Sequence, residues 1–259
     1  MTVIDRFRLD GKTAIITGGN RGIGRGISEA FAEAGANVVI ANRDAAGGVA
    51  AAEEIAEQTG AATLAVQTDI TEESEAKELV DATVERFGTV DVLVNNAGIT
   101  NNTPAEQMME EDWRSVMEIN LDGMFYCSKY AGQVMIDGDG GSIINISSIS
   151  AFIANYPQPQ VSYNASKAGV EGFKNQLSSE WADFGIRVNN INPGYVWTDI
   201  LEGVTEDDPE MVDEWYRGML LDEMARPEDI APLAVYLASE ASWYMTGSSI
   251  IIDGGYTVR

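Results

Sequence analysis

Seven short runs of β-favouring residues alternate along the chain with amphipathic stretches of helical period, and this alternation leaves few folds open. The runs are residues 13–17, 37–41, 64–66, 90–94, 142–146, 187–191 and 249–252. Between them lie helical patterns at 23–34, 45–58, 72–87, 110–136, 162–184 and 227–238. The early runs are apolar without alternation, as strands must be when both faces are covered. Repeated strand–helix–strand units predict an α/β fold: a doubly wound parallel sheet of about seven strands with helices on both faces. Right-handed crossovers place the ligand crevice at the carboxyl ends of the strands. No Pro/Gly/Ser linker, repeat or low-complexity tract divides the chain, so residues 1–259 are read as one domain. One segment, 199–224, departs from the pattern. It is acidic, is interrupted by Gly203 and Pro209, and carries Trp215 and Tyr216. It predicts a lid over something.

Composition removes several chemistries. The chain has no His and one Cys, Cys127. Imidazole-based triads and Cys/His zinc sites are excluded, and no metal site is expected. Without a second Cys no disulfide forms within one chain, which suits a reducing compartment. No apolar run of ~18 residues predicts a membrane span, and the first ten residues lack the apolar core of a secretion signal. A cytoplasmic location is the expectation. With 41 acids against 16 bases, five of them Lys, the net charge is −25. The acids are spread along the chain rather than gathered in a tail, which predicts a halophile-like surface. Nucleic acid and anionic membranes are poor partners for such a surface.

Proton chemistry must then come from Tyr, Lys, Asp or Glu. Tyr163 and Lys167 stand four apart in a helical pattern, one turn from each other on one face. An ammonium within ~4–6 Å of a phenol favours the phenolate and makes it an acid/base usable near neutrality. Earlier, the turn 17–24 follows the first strand and opens the first helix, with Gly18, Gly22 and Gly24 spaced Gly-x-x-x-Gly-x-Gly. Glycines there allow close backbone approach, and a helix N-terminus favours phosphate.

The pieces Thr17–Gly24, Asn95-Asn96-Ala97-Gly98, Asn120, Ser147-Ser148, Tyr163-x-x-x-Lys167, Pro193-Gly194 and Asp253-Gly254-Gly255 occur in this order. Together they resemble the short-chain dehydrogenase/reductase family, from about Leu9 onward. The resemblance implies a Rossmann-like sheet, a nicotinamide cofactor, hydride transfer and a homotetramer. It assigns Tyr163 the exchange of the substrate hydroxyl proton. Lys167 lowers the Tyr pKa and holds the nicotinamide ribose. Ser148 bonds the substrate oxygen, with Ser150 as the alternative, and Asn120 holds a water that links Lys167 to solvent. The cofactor then contacts Gly18, Asn20, Arg21, Gly22, Ile23 and Gly24 in the turn. Asp69 and Ile70 flank the adenine, and Asn96, Ala97 and Gly98 line the cleft. Pro193, Gly194, Val196 and Thr198 sit near the carboxamide.

At the end of the second strand, where an acid would bind a ribose 2′-hydroxyl, stand Asn42 and Arg43. Arg43 and Arg21 converging there suit a 2′-phosphate, so NADP is expected, with NAD as the alternative. Asp44 argues mildly the other way and is placed to cap the next helix. The stretch 155–160, Asn-Tyr-Pro-Gln-Pro-Gln, resembles the loop of polyol and ketose reductases in the family, the mannitol dehydrogenase-like and sorbose reductase-like members. Gln158, Gln160 and Tyr195 are candidate substrate contacts. The expected activity is an NADP-dependent carbonyl reductase or alcohol dehydrogenase on a small sugar, polyol or hydroxy ketone. A 3-oxoacyl reductase of lipid synthesis and a non-catalytic nucleotide sensor are the alternatives.

The charge makes a prediction of its own. Stability should rise with KCl well beyond 0.5 M, most steeply at low ionic strength where the Debye length changes most. Melting temperatures in KCl should exceed those in an equally concentrated neutral osmolyte. A melting temperature flat between about 0.1 and 2 M KCl would leave an acidic protein of ordinary habitat.

Overall fold

The computed structural model describes residues 2–198 and 208–258. Among these, seven strands form one wholly parallel sheet: β1 Thr13–Thr17, β2 Asn37–Asn42, β3 Thr63–Gln67, β4 Val92–Asn95, β5 Gly141–Ile146, β6 Ile186–Pro193 and β7 Ser249–Ile252. Their spatial order is β3-β2-β1-β4-β5-β6-β7. The chain leaves β1 toward β2 and later returns to the other side of β1 as β4. The connections therefore part at the carboxyl ends of β1 and β4, where such sheets open a crevice.

Alternate strand residues feed two cores. Ala14, Ile16, Val38 and Ile40 pack under helices α1 (Gly22–Glu33), α2 (Ala45–Thr59) and α8 (Pro227–Ala238). Ile15, Val39 and Leu93 pack on the other face, under α3 (Glu73–Phe87), α5 (Gly123–Asp137) and α6 (Val161–Trp181). Ile15, Ile16, Ile40 and Leu93 are wholly buried, each contributing roughly 1.5–3 kcal/mol by leaving water. The unbroken apolar runs in the sequence are this two-sided burial.

Two features depart from the sequence reading. The helix expected over 110–136 is interrupted. It runs as α4 (Glu110–Met117), a π-helical turn (Glu118–Asp122) and α5. The extra residue in a π turn re-aims a side chain, and here Asn120 bonds to the Ile99 backbone and to Ser166 instead of facing solvent. The second is a polar row across the buried sheet. Asn95, Asn145 and Asn190 are register partners on β4, β5 and β6. Asn95 Nδ2 donates to Asn145 Oδ1, and Asn145 Nδ2 to Asn190 Oδ1, each at 2.9 Å. The row ends on Ser128 of α5 at one side and Glu171 of α6 at the other. Amides in register satisfy one another along the row, except at its end, where Asn95 Oδ1 is buried without a hydrogen-bond partner.

Part of the expected lid, 199–207, lies outside the described residues. The rest includes α7 (Pro209–Gly218), which starts cleanly with Asp208 accepting from the Met211 N–H at 3.0 Å and Pro209 in the first turn. Val212, Trp215, Met219 and Met224 form a small separate core with Tyr195, Trp197, Tyr216 and Tyr256. Among the described residues no helix is long and apolar enough to cross a membrane.

Candidate active site

Thr17, the last residue of β1, stitches the crevice together. Its hydroxyl accepts from the backbone N–H groups of Asn96 and Ala97, both at 3.0 Å. Asn96 Nδ2 in turn donates to the Thr17 and Gly18 carbonyls at 2.9 and 3.2 Å. The glycine turn after β1 and the Asn96–Gly98 turn after β4 thus form one wall. They open on a cleft of about 610 Å³ that runs along the carboxyl ends of the strands.

One end of the cleft could hold a phosphate. Gly18 has φ +65°, where a Cβ is strained, and that Cβ would lie 3.0 Å from Asn96 Nδ2. No side chain caps the N-terminus of α1, so its first N–H groups remain for an anion. Gly18, Asn20, Arg21, Gly22 and Ile23 line the cleft. Gly24 does not; it lies behind the turn, where a Cβ would come within 2.3 Å of the Gly18 carbonyl oxygen. Its role is close packing of helix against turn, which spacing alone does not separate from ligand contact. Asn42, Arg43 and Asp44 line the same end, as do Asp69 and Ile70. Asp44 occupies the cap position of α2 but makes no side-chain cap bond. The Arg43 guanidinium stands 3.9 Å from the Asp69 carboxylate. Burial works to raise the Asp69 pKa, but hydrogen bonds from Thr71 and the charge of Arg43 outweigh it and hold the carboxyl below its usual value.

At the other end, α6 brings Tyr163 and Lys167 against the end of β5. Lys167 is buried, and its Nζ donates to the Ile146 carbonyl at 2.8 Å and stands 5.4 Å from the centre of the Tyr163 ring. Burial pushes the Lys167 pKa down to about 8. The expected fall of the Tyr163 pKa is not what the geometry produces. Burial raises it, and a hydrogen bond with Ser148 only partly opposes that. The ammonium is turned to a carbonyl rather than to the phenol oxygen.

The three candidate serines separate by their bonds. Ser147 donates to the Lys167 carbonyl and pins α6. Ser148 meets Tyr163, and its Oγ bonds Ser150 Oγ at 3.0 Å. Asn120 lies outside the cleft lining. Its amide is committed to the Ile99 backbone, accepting at 2.9 Å and donating at 3.0 Å, and to Ser166 Oγ at 2.9 Å. Its side chain holds the loop after β4 to α6, so a bridging water would have to use its backbone.

Asn96, Ala97, Gly98, Pro193, Gly194, Val196 and Thr198 all line the cleft between the two ends. So do Gln158, Gln160 and Tyr195, but Gln158 is turned away from any ligand. Its Oε1 accepts from Trp215 Nε1 at 2.8 Å, and its Nε2 donates to the Tyr195 hydroxyl at 3.1 Å. Tyr195 stacks on Trp215 at 4.6 Å. Asn155, Thr100 and Asn102 also line the cleft and were not singled out from sequence. They sit in irregular loops without a periodic signal. Cys127 is on the buried face of α5, its thiol pushed up to about 12 by burial, and is no nucleophile.

The family model described as Enoyl-(Acyl carrier protein) reductase matches residues 18–257. The chain is 39% identical to the sorbose reductase of Candida albicans, over 98% of this chain and 90% of that one. It is 40% identical to the galactitol 2-dehydrogenase (L-tagatose-forming) of Cereibacter sphaeroides, over 97% of each. It is 39% identical to the 3-oxoacyl-[acyl-carrier-protein] reductase of Chlamydia muridarum, over 95% of this chain and 98% of that one. Among solved structures, a short-chain type dehydrogenase/reductase from Mycobacterium marinum superposes with a TM-score of 0.94 at 38% identity over the whole of both chains. A gluconate 5-dehydrogenase from Burkholderia cenocepacia in complex with NADP and tartrate also scores 0.94, at 33% identity over the whole of both chains. A 7α-hydroxysteroid dehydrogenase complexed with NADH scores 0.93 at 35%, over 98% of each.

The buried Lys167 generates a pH prediction. Its folded pKa is depressed, so the folded protein holds that proton less tightly than the unfolded chain. The cost of burying the charge is full below about pH 8 and fades as pH rises toward the ordinary lysine value. Lys167→Met removes that term. Between about pH 7 and about pH 10 the unfolding free energy of the parent should gain on that of the variant by on the order of 1–3 kcal/mol. Urea unfolding at fixed high salt measures it. A constant gap across that range would contradict a depressed Lys167.

Proposed function

The chain belongs to the short-chain dehydrogenase/reductase family, a family of oxidoreductases, and from that premise we propose that it is an NADP(H)-dependent enzyme moving hydride between nicotinamide and a secondary alcohol or ketone, with a small sugar, polyol or hydroxy ketone as substrate. The observation that carries this reading is the meeting of Ser148, Tyr163 and Lys167 in the same cleft as an uncapped helix N-terminus fronted by glycines. A nucleotide sensor has no use for that trio. The residues present fit a dinucleotide: Gly18 leaves room for backbone approach, and the free N–H groups of α1 suit its phosphates.

Nicotinamide, when bound, supplies or takes the hydride. The chain's own groups handle the proton. Burial keeps the Tyr163 phenol protonated at neutral pH, which suits donation to a ketone oxygen as charge builds there. Ser148, already within reach of Tyr163, offers a second hydrogen bond to the same oxygen. Lys167 carries its charge below about pH 8 and favours the phenolate left after donation.

Arg21 and Arg43 support NADP, since both line the end of the cleft where a ribose 2′-phosphate would lie and Asn42 replaces the acid an NAD site uses. A 2′-phosphate would draw Arg43 from Asp69, whose ion pair is long and half open to solvent. The sorbose reductase and galactitol 2-dehydrogenase relatives support a sugar or polyol substrate. An acyl group on an acidic carrier protein is disfavoured, because a chain of net charge −25 would repel that carrier.

Tyr163→Phe should lower kcat by at least ~10²–10⁴ while cofactor binding, followed by fluorescence, persists. Near-parental kcat in the folded variant would end the mechanism. Arg43→Ala should weaken NADP roughly 10–150-fold, the loss of one charge-assisted bond, and leave NAD nearly unchanged. Equal weakening of both cofactors would show that Arg43 does not read the phosphate.

A further inference from the structure

Given the dehydrogenase reading, on which this rests, we propose that Gln160 and Ser150 are positioning residues that hold the single hydroxyl proton of Ser148 on the Tyr163 side, where it meets the substrate oxygen. Gln160 does so without touching that oxygen, by donating to Ser150.

Three side chains in the wall of the cleft form one line of contacts. Gln160 Nε2 donates to Ser150 Oγ at 3.2 Å, Ser150 Oγ meets Ser148 Oγ at 3.0 Å, and Ser148 meets Tyr163. Each hydroxyl has one proton and two acceptor lone pairs. The Ser148 oxygen already accepts from the Ser150 backbone N–H at 3.1 Å, as the cap of the short turn Ile149–Ala151. Its proton can turn to Ser150 or toward Tyr163, and the oxygen–oxygen distance is the same either way. Gln160 decides between them. An amide nitrogen only donates, so Ser150 spends a lone pair on Gln160 and turns its own proton to Ser148. Ser148 then accepts twice from Ser150, and its proton is left for the Tyr163 side. The phenol shows the same direction, since the Ser148 bond lowers its pKa, the effect of a donor to its oxygen.

The surrounding backbone holds the line in place. Asn164 Nδ2 donates to the carbonyls of Ser150 and Ile153 at 2.9 and 2.8 Å, tying the short turn to α6. Gln160 stands at the cap position of α6, and its carbonyl accepts from the Asn164 N–H at 3.0 Å. Gln160 and Tyr163 therefore start the same helix, and both serines follow the end of β5. Ser150 is buried, so its bonds are made within the protein rather than to bulk water. A donor aimed in advance at charge growing on a ketone oxygen needs no reorientation as the charge forms.

The test is a cycle of variants, assayed on a ketohexose, a 3-oxoacyl ester and 2-hexanone with NADPH and NADH. It is run at about 2 M KCl, so that the long-range effect of an added charge is screened. Gln160→Glu puts an acceptor where Nε2 donates. Ser150 then donates to the carboxylate, accepts from Ser148 and draws its proton off the substrate. On the substrate that the parent turns over, kcat should fall about 10–100-fold, with cofactor binding, followed by fluorescence, unchanged. Ser150→Ala alone should cost less than about tenfold, because the Ser148 proton then has no Ser150 oxygen to turn to. Adding Ser150→Ala to Gln160→Glu should recover activity, to within about threefold of Ser150→Ala alone. Losses that multiply in the double variant, a loss confined to KM, or parental kcat in Gln160→Glu each overturn the positioning role and leave the dehydrogenase reading standing. If Gln160→Glu does not fold, Gln160→Leu takes its place in the cycle. It should cost about three- to tenfold in kcat alone and nothing more on top of Ser150→Ala, and multiplying losses overturn the role as before. No turnover of any of the three compounds by the parent with either cofactor overturns both the dehydrogenase reading and the role.

Discussion

The hydrogen bond from the Lys167 ammonium to the Ile146 carbonyl joins the sheet to the helix that carries Tyr163. A buried lysine is costly, and this one sits where it meets the last carbonyl of β5, 2.8 Å away. The bond fixes α6 along its axis and therefore fixes Tyr163, one turn earlier. Ser147 adds a reciprocal tie, donating to the Lys167 carbonyl. Beneath them Asn190 holds the carbonyl of Val170 and the carboxylate of Glu171. One helix face is thus anchored at three successive levels, and Tyr163 and Lys167 inherit the rigidity of the strand ends.

That anchoring explains a tension in the electrostatics. Close packing of α6 on β5 desolvates both Tyr163 and Lys167, raising one pKa and lowering the other. The same contact that brings phenol and ammonium together moves their values apart and leaves Tyr163 the weaker acid of the two. The phenol therefore keeps its proton at neutral pH, while Lys167 gives up its charge above about pH 8.

The segment that carries α7 is held differently. α7 is attached by the buried side chains of Val212 and Trp215 and by Gln158, which links the Trp215 indole to the Tyr195 hydroxyl. Beyond β6 the chain is held by backbone bonds between Trp197, Tyr195 and Ala225. A small aromatic core on a few polar joints thus places Tyr195 and Trp215 in the wall of the cleft. Gln158 therefore shapes the cleft by joining α7 to Tyr195.

Periodicity is local and carried the fold: two-sided apolar runs such as those of β1 and β2, spaced by helical repeats, allow little besides a doubly wound parallel sheet. The Tyr163–Lys167 spacing, the glycine turn and the paired Arg21 and Arg43 were legible for the same reason, since each is a short-range pattern at a predictable place in that sheet. Tertiary structure alone decided the break in the helix at Asn120, whose partners Ile99 and Ser166 are 21 and 46 residues away. It decided that Gly24 packs rather than binds, that Gln158 is bound to Trp215 57 residues on, and that Asn155 Oδ1 is unpartnered. It also decided the direction of the Tyr163 shift. Spacing shows which groups are near along a helix, but burial and hydrogen-bond partners come from segments far apart in the chain, and those set what each group can donate, accept or ionise.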